Sequence, residues 1–292
     1  LAVCLQAQRT DNIFEQLMYT TLRIECIDSI GNIFSIGTGF LIQRPVGDNK
    51  YKLYLVSNKH VLCNTDSIAI SFTANKGNEP DVGNRVRLPI SNIKDSIVGH
   101  PDSNVDIAVL ECTGLFIMMP EQLYYKAVSY DMLATFNEEE LSVAENVYFV
   151  GYPDNRYDKA NNLPLIRTGM IASNPKYDYN GNPTFIIDAQ VFPGSSGSPV
   201  YIDLTYENMK NGQIIVGKKD IKLLGIVSAT MIRNNQLKSI ETNTHYLTEE
   251  VLGLGIVYKS TAIKELIDTL PMNNWENDEK VLISYPIAIY YD

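Results

Sequence analysis

Residues 184–200 read TFIIDAQVFPGSSGSPV. A β-rich run over 184–192 stops at Pro193-Gly194, and Pro199 follows shortly after. Two glycines and a proline around Ser196 force a tight turn after a strand. Glycine lets backbone N–H groups approach a ligand and point together. Charge developing on a carbonyl oxygen needs such converging donors. Alone, the segment reads equally well as a Gly/Ser surface loop, so its meaning depends on its company.

Outward from this stretch the texture is β throughout. TLRIECID, NIFSIGTGFLIQ, YKLYLVSN, SIAISFTA, RVRLPI and DIAVLEC precede it, with NVYFVGY and LIRTGMIAS between. GQIIVG, IKLLGIVSAT and LGLGIVYK follow. Gly, Pro, Asn and Asp separate these runs, which argues for antiparallel barrels or sandwiches rather than βαβ units. Three stretches read as helical: 11–20, capped by Asp11 or Asn12; 128–142; and 260–270, capped by Ser260 or Thr261 with Pro271 beyond. The fold expected is all-β, a double six-stranded antiparallel barrel with a short N-terminal helix and a C-terminal helix. The segments are an N-terminal extension (1–20), a first barrel (21–125), a linker (126–145), a second barrel with its closing helix (146–270) and a tail (271–292).

Composition narrows the function. The formal net charge is −10, with no basic cluster beyond pairs such as Lys218-Lys219, which argues against nucleic acid and anionic membrane as partners. No run of eighteen apolar residues marks a transmembrane helix. The four cysteines have no metal-type spacing and the three histidines are far apart, so neither a metal nor another cofactor is expected. Buried free thiols suit a cytoplasmic location; two disulfides would suit a periplasmic or secreted one.

Two further residues carry chemistry. His60 lies in LYLVSNKHVLC, after an apolar strand and before Val61-Leu62. Of the three histidines it alone has apolar neighbours able to hold an imidazole in one pose; a half-buried structural histidine is the plainer reading. Asp106 opens DIAVL. A carboxylate there is partly buried and needs a partner, and a histidine N–H is suitable. A turn carboxylate is the plainer reading, and Asp102 is the rival.

In the order His60, Asp106, Ser196, with VSNKHVL, DIAVL and DAQVFPGSSGSPV around them, the chain resembles the trypsin-like serine peptidase family. It is most similar to the bacterial high-temperature-requirement (HtrA/Deg) branch, without a PDZ-like domain. GTGFLI, VGYP, GIVSAT and GLGIVYKSTAIKELI are weaker echoes, so the resemblance covers roughly residues 30–270. It implies an endopeptidase working on protein or peptide substrates through an acyl-enzyme. His60, Asp106 and Ser196 would be catalytic. The backbone N–H groups of Gly194, Ser195 and Ser196 would form the oxyanion hole. Substrate would pair as a strand with Ser228, Ala229 and Thr230. Gln190 would sit at the base of the first specificity pocket, implying an uncharged residue before the cut. Ser195 replaces the usual Asn or Asp that steadies the loop, and Ser198 replaces a glycine. The first departure leaves room for a regulatory protein partner, and for a restrained or inactive protease-fold binding module as the alternative reading.

Overall fold

The computed structural model describes residues 12–47, 50–119, 121–205, 207–210, 213–216, 220–238, 245–272 and 290–291. In the first half, helix α1 (Ile13–Met18) leads into β1 (Thr21–Ile27), β2 (Ile33–Gly47) and β3 (Lys50–Ser57). Then come a single helical turn α2 (Lys59–Leu62), β4 (Ser67–Lys76), β5 (Glu79–Ser91), β6 (Ile97–Gly99) and β7 (Ala108–Glu111). Helix α3 (Thr113–Met118) and the short strands β8 (Leu123–Tyr124) and β9 (Val128–Ser129) complete it.

Six of the seven residues of β1 are buried, so both of its faces need cover. The ladder runs β5-β4-β1-β2-β3-β7-β6, with β8 on β4 and β9 on β2. Its ends, β5 and β6, are consecutive in the chain and joined through a 3-10 turn at Lys94–Ser96. The sheet therefore curls around one core containing Ile24, Leu41, Leu55, Ile70, Leu88 and Leu110. Each fully buried aliphatic or aromatic side chain contributes about 1.5–3 kcal/mol.

The second half comprises β10 (Asn146–Gly151), β11 (Leu165–Ile171), β12 (Thr184–Asp188), β13 (Pro199–Asp203), a hairpin of β14 (Glu207–Lys210) and β15 (Gln213–Val216), β16 (Ile221–Lys238) and β17 (His245–Lys259). Helix α4 (Ser260–Asp268) follows, and β18 (Tyr290–Tyr291) pairs with the outer edge of β5. Strands β10-β11-β12-β17-β16-β13 close into a six-stranded barrel around Phe149, Phe185, Val200, Leu224 and Val257. A third apolar cluster joins the halves: Phe40, Tyr54 and Val109 meet Val150, Tyr201 and Ile226, with Ile263 and Leu266 of α4 alongside. The all-β, two-barrel architecture with its two terminal helices is the expected one. The second barrel closes through six ladders. The first belongs to a ten-stranded sheet whose seam is spanned by the chain between β5 and β6.

Two local expectations differ. The stretch 128–142 forms no α-helix, only a 3-10 turn at Tyr130–Met132: Val128 pairs with Ile42, Leu133 bridges to Leu223, and Phe136 has φ of 64°. Its apolar residues serve two cores, Val128 and Leu133 in one, Phe136 and Leu141 in the other, and a helix cannot point one stripe both ways. At α4 the N-cap is Lys259; Ser260 is buried and donates to the Ala134 carbonyl at 2.7 Å. At α1 the cap is Asn12, one of the two residues expected there, and its Oδ1 accepts from the Phe14 N–H at 3.0 Å. The tail positions 273–289 and the first eleven residues lie outside the described residues.

Candidate active site

His60 sits on the α2 turn, at the end of β3. Val61 and Leu62 are buried in the first core and anchor the turn, leaving the imidazole about half exposed. Asp106 is flanked by Val105 and Ile107, each almost fully buried, so its own side chain turns away from the apolar cluster they enter. The Asn58 Nδ2 donates to the Asp106 carbonyl at 2.7 Å, tying the two loops together. His60 Nδ1 lies 2.6 Å from Asp106 Oδ2, and the His60 N–H donates to Oδ1 at 3.1 Å. An ionised carboxylate only accepts, so Nδ1 carries the proton and Nε2 is left as the acceptor. Burial pushes the Asp106 carboxyl up, but hydrogen bonds from His60 and Ser228 outweigh it and hold the group below its ordinary range. The rival carboxylate, Asp102, accepts from the Asn104 N–H at 2.8 Å and serves its own turn.

Ser228 joins this group through a β-bulge. The β16–β17 register slips between Val227 and Ala229, and the extra residue re-aims its groups. The Ser228 hydroxyl donates to Asp106 Oδ2 at 2.7 Å. Its carbonyl accepts from Ser196 Oγ at 3.0 Å. The four residues thus form one connected set, His60–Asp106–Ser228–Ser196. Among the described residues no hydrogen bond joins His60 directly to Ser196. The sequence reading assigned Ser228 to substrate alone; its bond to Asp106 depends on the bulge, and no residue pattern announces that.

The Ser196 loop is held from behind. Asp154 N–H donates to the Pro193 carbonyl at 2.6 Å, and Ser198 N–H to the Ser195 carbonyl at 3.0 Å. A trans peptide points its N–H opposite its carbonyl, so these bonds turn the Gly194 and Ser196 N–H groups the other way. Neither has an acceptor among the described residues. The N–H of Ser195 donates to the Phe192 carbonyl at 2.9 Å and is not available to a ligand. The expected three donors therefore reduce to Gly194 and Ser196, because one peptide of the turn is used to close it. Gly194 has φ of +84°, and a side chain there would meet the Tyr152 carbonyl at 2.6 Å, so glycine is required. Thr38 of β2 fastens the loop across the two halves: its Oγ1 donates to the Gly194 carbonyl at 2.7 Å, and its N–H to the Ser196 carbonyl at 2.9 Å.

The two departures in the loop have different consequences. Ser198 has no positive φ, and its hydroxyl fits only because Gly151 lacks a side chain: a Cβ there would lie 2.0 Å from Ser198 Oγ. The Ser195 hydroxyl is buried without a hydrogen-bond partner among the described residues, so none of them ties it down as the loop-steadying side chain of an Asn or Asp would be.

Ala229 and Thr230 continue β16 past the end of β13, whose pairing stops at Ile226. Their other side is bonded to Ile256 and Gly255 of β17. The side towards β13 is therefore an unpaired strand edge beside Ser196. Gln190 is exposed, and its carbonyl accepts from Arg167 Nη1 at 2.6 Å; its side chain makes no hydrogen bond among the described residues. No cluster of His, Cys, Asp and Glu among the described residues could hold a metal ion, and none of their helices is long and apolar enough to cross a membrane.

The solved structures resembling this chain include a serine endoprotease from Yersinia pestis, 15% identical over 87% of this chain with a TM-score of 0.46. The chain spans 64% of that protein's length. The active form of a Mycobacterium tuberculosis protease is 17% identical, covering 90% of this chain and 86% of its own, with a TM-score of 0.46. An atomic-resolution structure of HBP is 9% identical, covering 89% and 94%, with a TM-score of 0.49. No curated protein sequence matches the chain. The sequence profile of the trypsin-like peptidase domain matches residues 37–205, a span that includes His60, Asp106 and Ser196 and exceeds half of the 292 residues. The chain belongs to the trypsin-like peptidase domain family.

Proposed function

We propose that the protein is a serine endopeptidase with Ser196 as nucleophile, His60 as general base and Asp106 as the group that orients His60. The reading is carried by the 2.6 Å contact between His60 Nδ1 and Asp106 Oδ2, which directs the basic Nε2 outward. Ser196 Oγ rotates from the Ser228 carbonyl to His60, giving up one neutral hydrogen bond worth about 0.5–1.5 kcal/mol. It then attacks the scissile carbonyl, His60 takes its proton, and the Gly194 and Ser196 N–H groups receive the developing oxyanion. His60 returns the proton to the leaving amine, and water hydrolyses the acyl-enzyme. The open edge at Ala229 and Thr230 suits an extended peptide added as a strand. A neutral Gln190 favours an uncharged residue before the cut.

A second reading, a protease-fold binding module, draws on one observation: Ser196 Oγ is bonded to Ser228 and not to His60. Reaction with a fluorophosphonate, followed by peptide mapping, separates the two. Labelling at Ser196, abolished by Ser196→Ala and His60→Ala, supports the peptidase. An unlabelled Ser196 in protein that is folded supports the binder.

A further inference from the structure

Away from Ser196, an open polar cavity of about 550 Å³ lies between β1 and β5 of the first half and the 155–162 loop of the second. Arg23 and Asn162 line it, and each is only 7% exposed. Arg23 Nε donates to Asn155 Oδ1 at 2.8 Å, and Nη1 is paired with Glu25. Its Nη2 has no acceptor among the described residues. The Asn162 side-chain amide likewise has no partner there.

The lone carboxylate in the wall is already engaged. Glu25 Oε1 takes Arg23, while Oε2 accepts from Arg87 Nε at 2.8 Å and Nη2 at 2.6 Å. Lys159 adds a further cation to the lining, and the Tyr157 ring backs the Arg23 guanidinium at 5.4 Å. The Arg and Lys heads only donate hydrogen bonds, so the occupant must supply acceptors and negative charge. The Arg23 and Asn162 side chains, each more than nine-tenths buried, reach this cavity with a guanidinium edge and an amide that have no partner among the described residues, so both can donate to an occupant. The volume suits a small molecule.

The cavity also touches the active-site loop. Asn155 and its neighbour Asp154 have φ of 55° and 49°, and the Asp154 N–H holds the Pro193 carbonyl. We propose that this cavity binds a small molecule bearing a phosphate or carboxylate oxyanion, and that its occupancy is relayed through Arg23 and Asn155 to the Gly194 loop. The relay rests on the reading of Ser196 as nucleophile; the binding does not.

Calorimetric titration with pyrophosphate and with citrate tests the site and distinguishes the two oxyanion sources. Binding of either that weakens with salt is expected. Lys159→Ala and Asn162→Asp, the latter keeping size while adding a negative charge, should each weaken it about tenfold or more. No binding of either anion to the unaltered protein, or equal binding by both variants, overturns the site. For the relay, the fluorophosphonate labelling rate of Ser196 should change about threefold or more with bound anion. In Asn155→Gly, which keeps the left-handed backbone, that response should vanish. Labelling indifferent to a bound anion overturns the relay alone. Absence of labelling in every state overturns the relay together with the nucleophile assignment, and leaves the anion site to stand or fall on calorimetry.

Discussion

Ser228→Ala removes one hydroxyl and leaves the backbone carbonyl that holds Ser196 in place. Asp106 accepts three hydrogen bonds, two from His60 and one from Ser228 at 2.7 Å. A hydrogen bond to a charged group contributes about 1.5–3 kcal/mol. The Asp106 side chain is 24% exposed, so solvent screening places the loss near the lower end, about 1.5 kcal/mol. That is about tenfold in an equilibrium or a rate. The pH dependence carries a definite sign. Asp106 is depressed in the folded state, so its contribution is present above the unfolded-state pKa and disappears as pH falls through the lower folded value. Removing Ser228 Oγ takes away one depressing partner and moves the folded pKa upward. The stability gap between the two proteins should therefore be widest near neutrality and shrink in acid. Urea unfolding at about pH 7 and about pH 3 measures the gap, and the fluorophosphonate rate at neutral pH should fall about tenfold. A gap that is absent at neutral pH, or that stays constant into acid, would refute the argument that this hydroxyl stabilises the ionised carboxylate.

Gly197→Ala should destabilise by about 3 kcal/mol or more, because φ is +91° and the new Cβ would lie 1.7 Å from the Thr38 carbonyl; denaturant midpoints report it. Arg44→Met should lower stability by about 2 kcal/mol, since this buried guanidinium donates to the Ile267 carbonyl at 2.7 Å and to Asp268 at 2.9 Å and ties α4 to β2; a melting temperature equal to that of the unaltered protein would contradict it. Native iodoacetamide treatment with peptide mapping should modify Cys63, the exposed thiol, first, at a rate that climbs with pH as the thiolate forms and keeps climbing beyond the pH at which a free thiol levels off, because partial desolvation pushes its pKa up. Cys26, buried and pushed up to about 11, and buried Cys112 should react only after unfolding; their labelling before Cys63 would overturn the burial assignment.

Much of this protein was readable from residue order. Short apolar runs broken by Gly, Pro and Asn specify antiparallel strands locally, and VSNKHVL, DIAVL and FPGSSGSPV each carry their own turn chemistry. Buried thiols are the plainer expectation for the cysteines: Cys26 and Cys112 meet it, Cys63 departs from it because it ends the α2 turn at the surface, and Cys4 lies outside the described residues. What residue order could not reach was every feature made by two distant segments meeting. The 128–142 stretch has helical spacing, yet two cores compete for its apolar residues and break it into a short strand, a 3-10 turn and irregular turns. Ser195 carries an N–H like its neighbours, but closing the turn on Phe192 takes it away from any ligand. Ser228 meets Asp106 because a bulge in β16 re-aims it, and Gly151 makes room for Ser198 from 47 positions away. Local conformation follows from near neighbours along the chain, whereas the direction of a hydrogen bond or the space for a hydroxyl is decided by whichever remote strand packs against it.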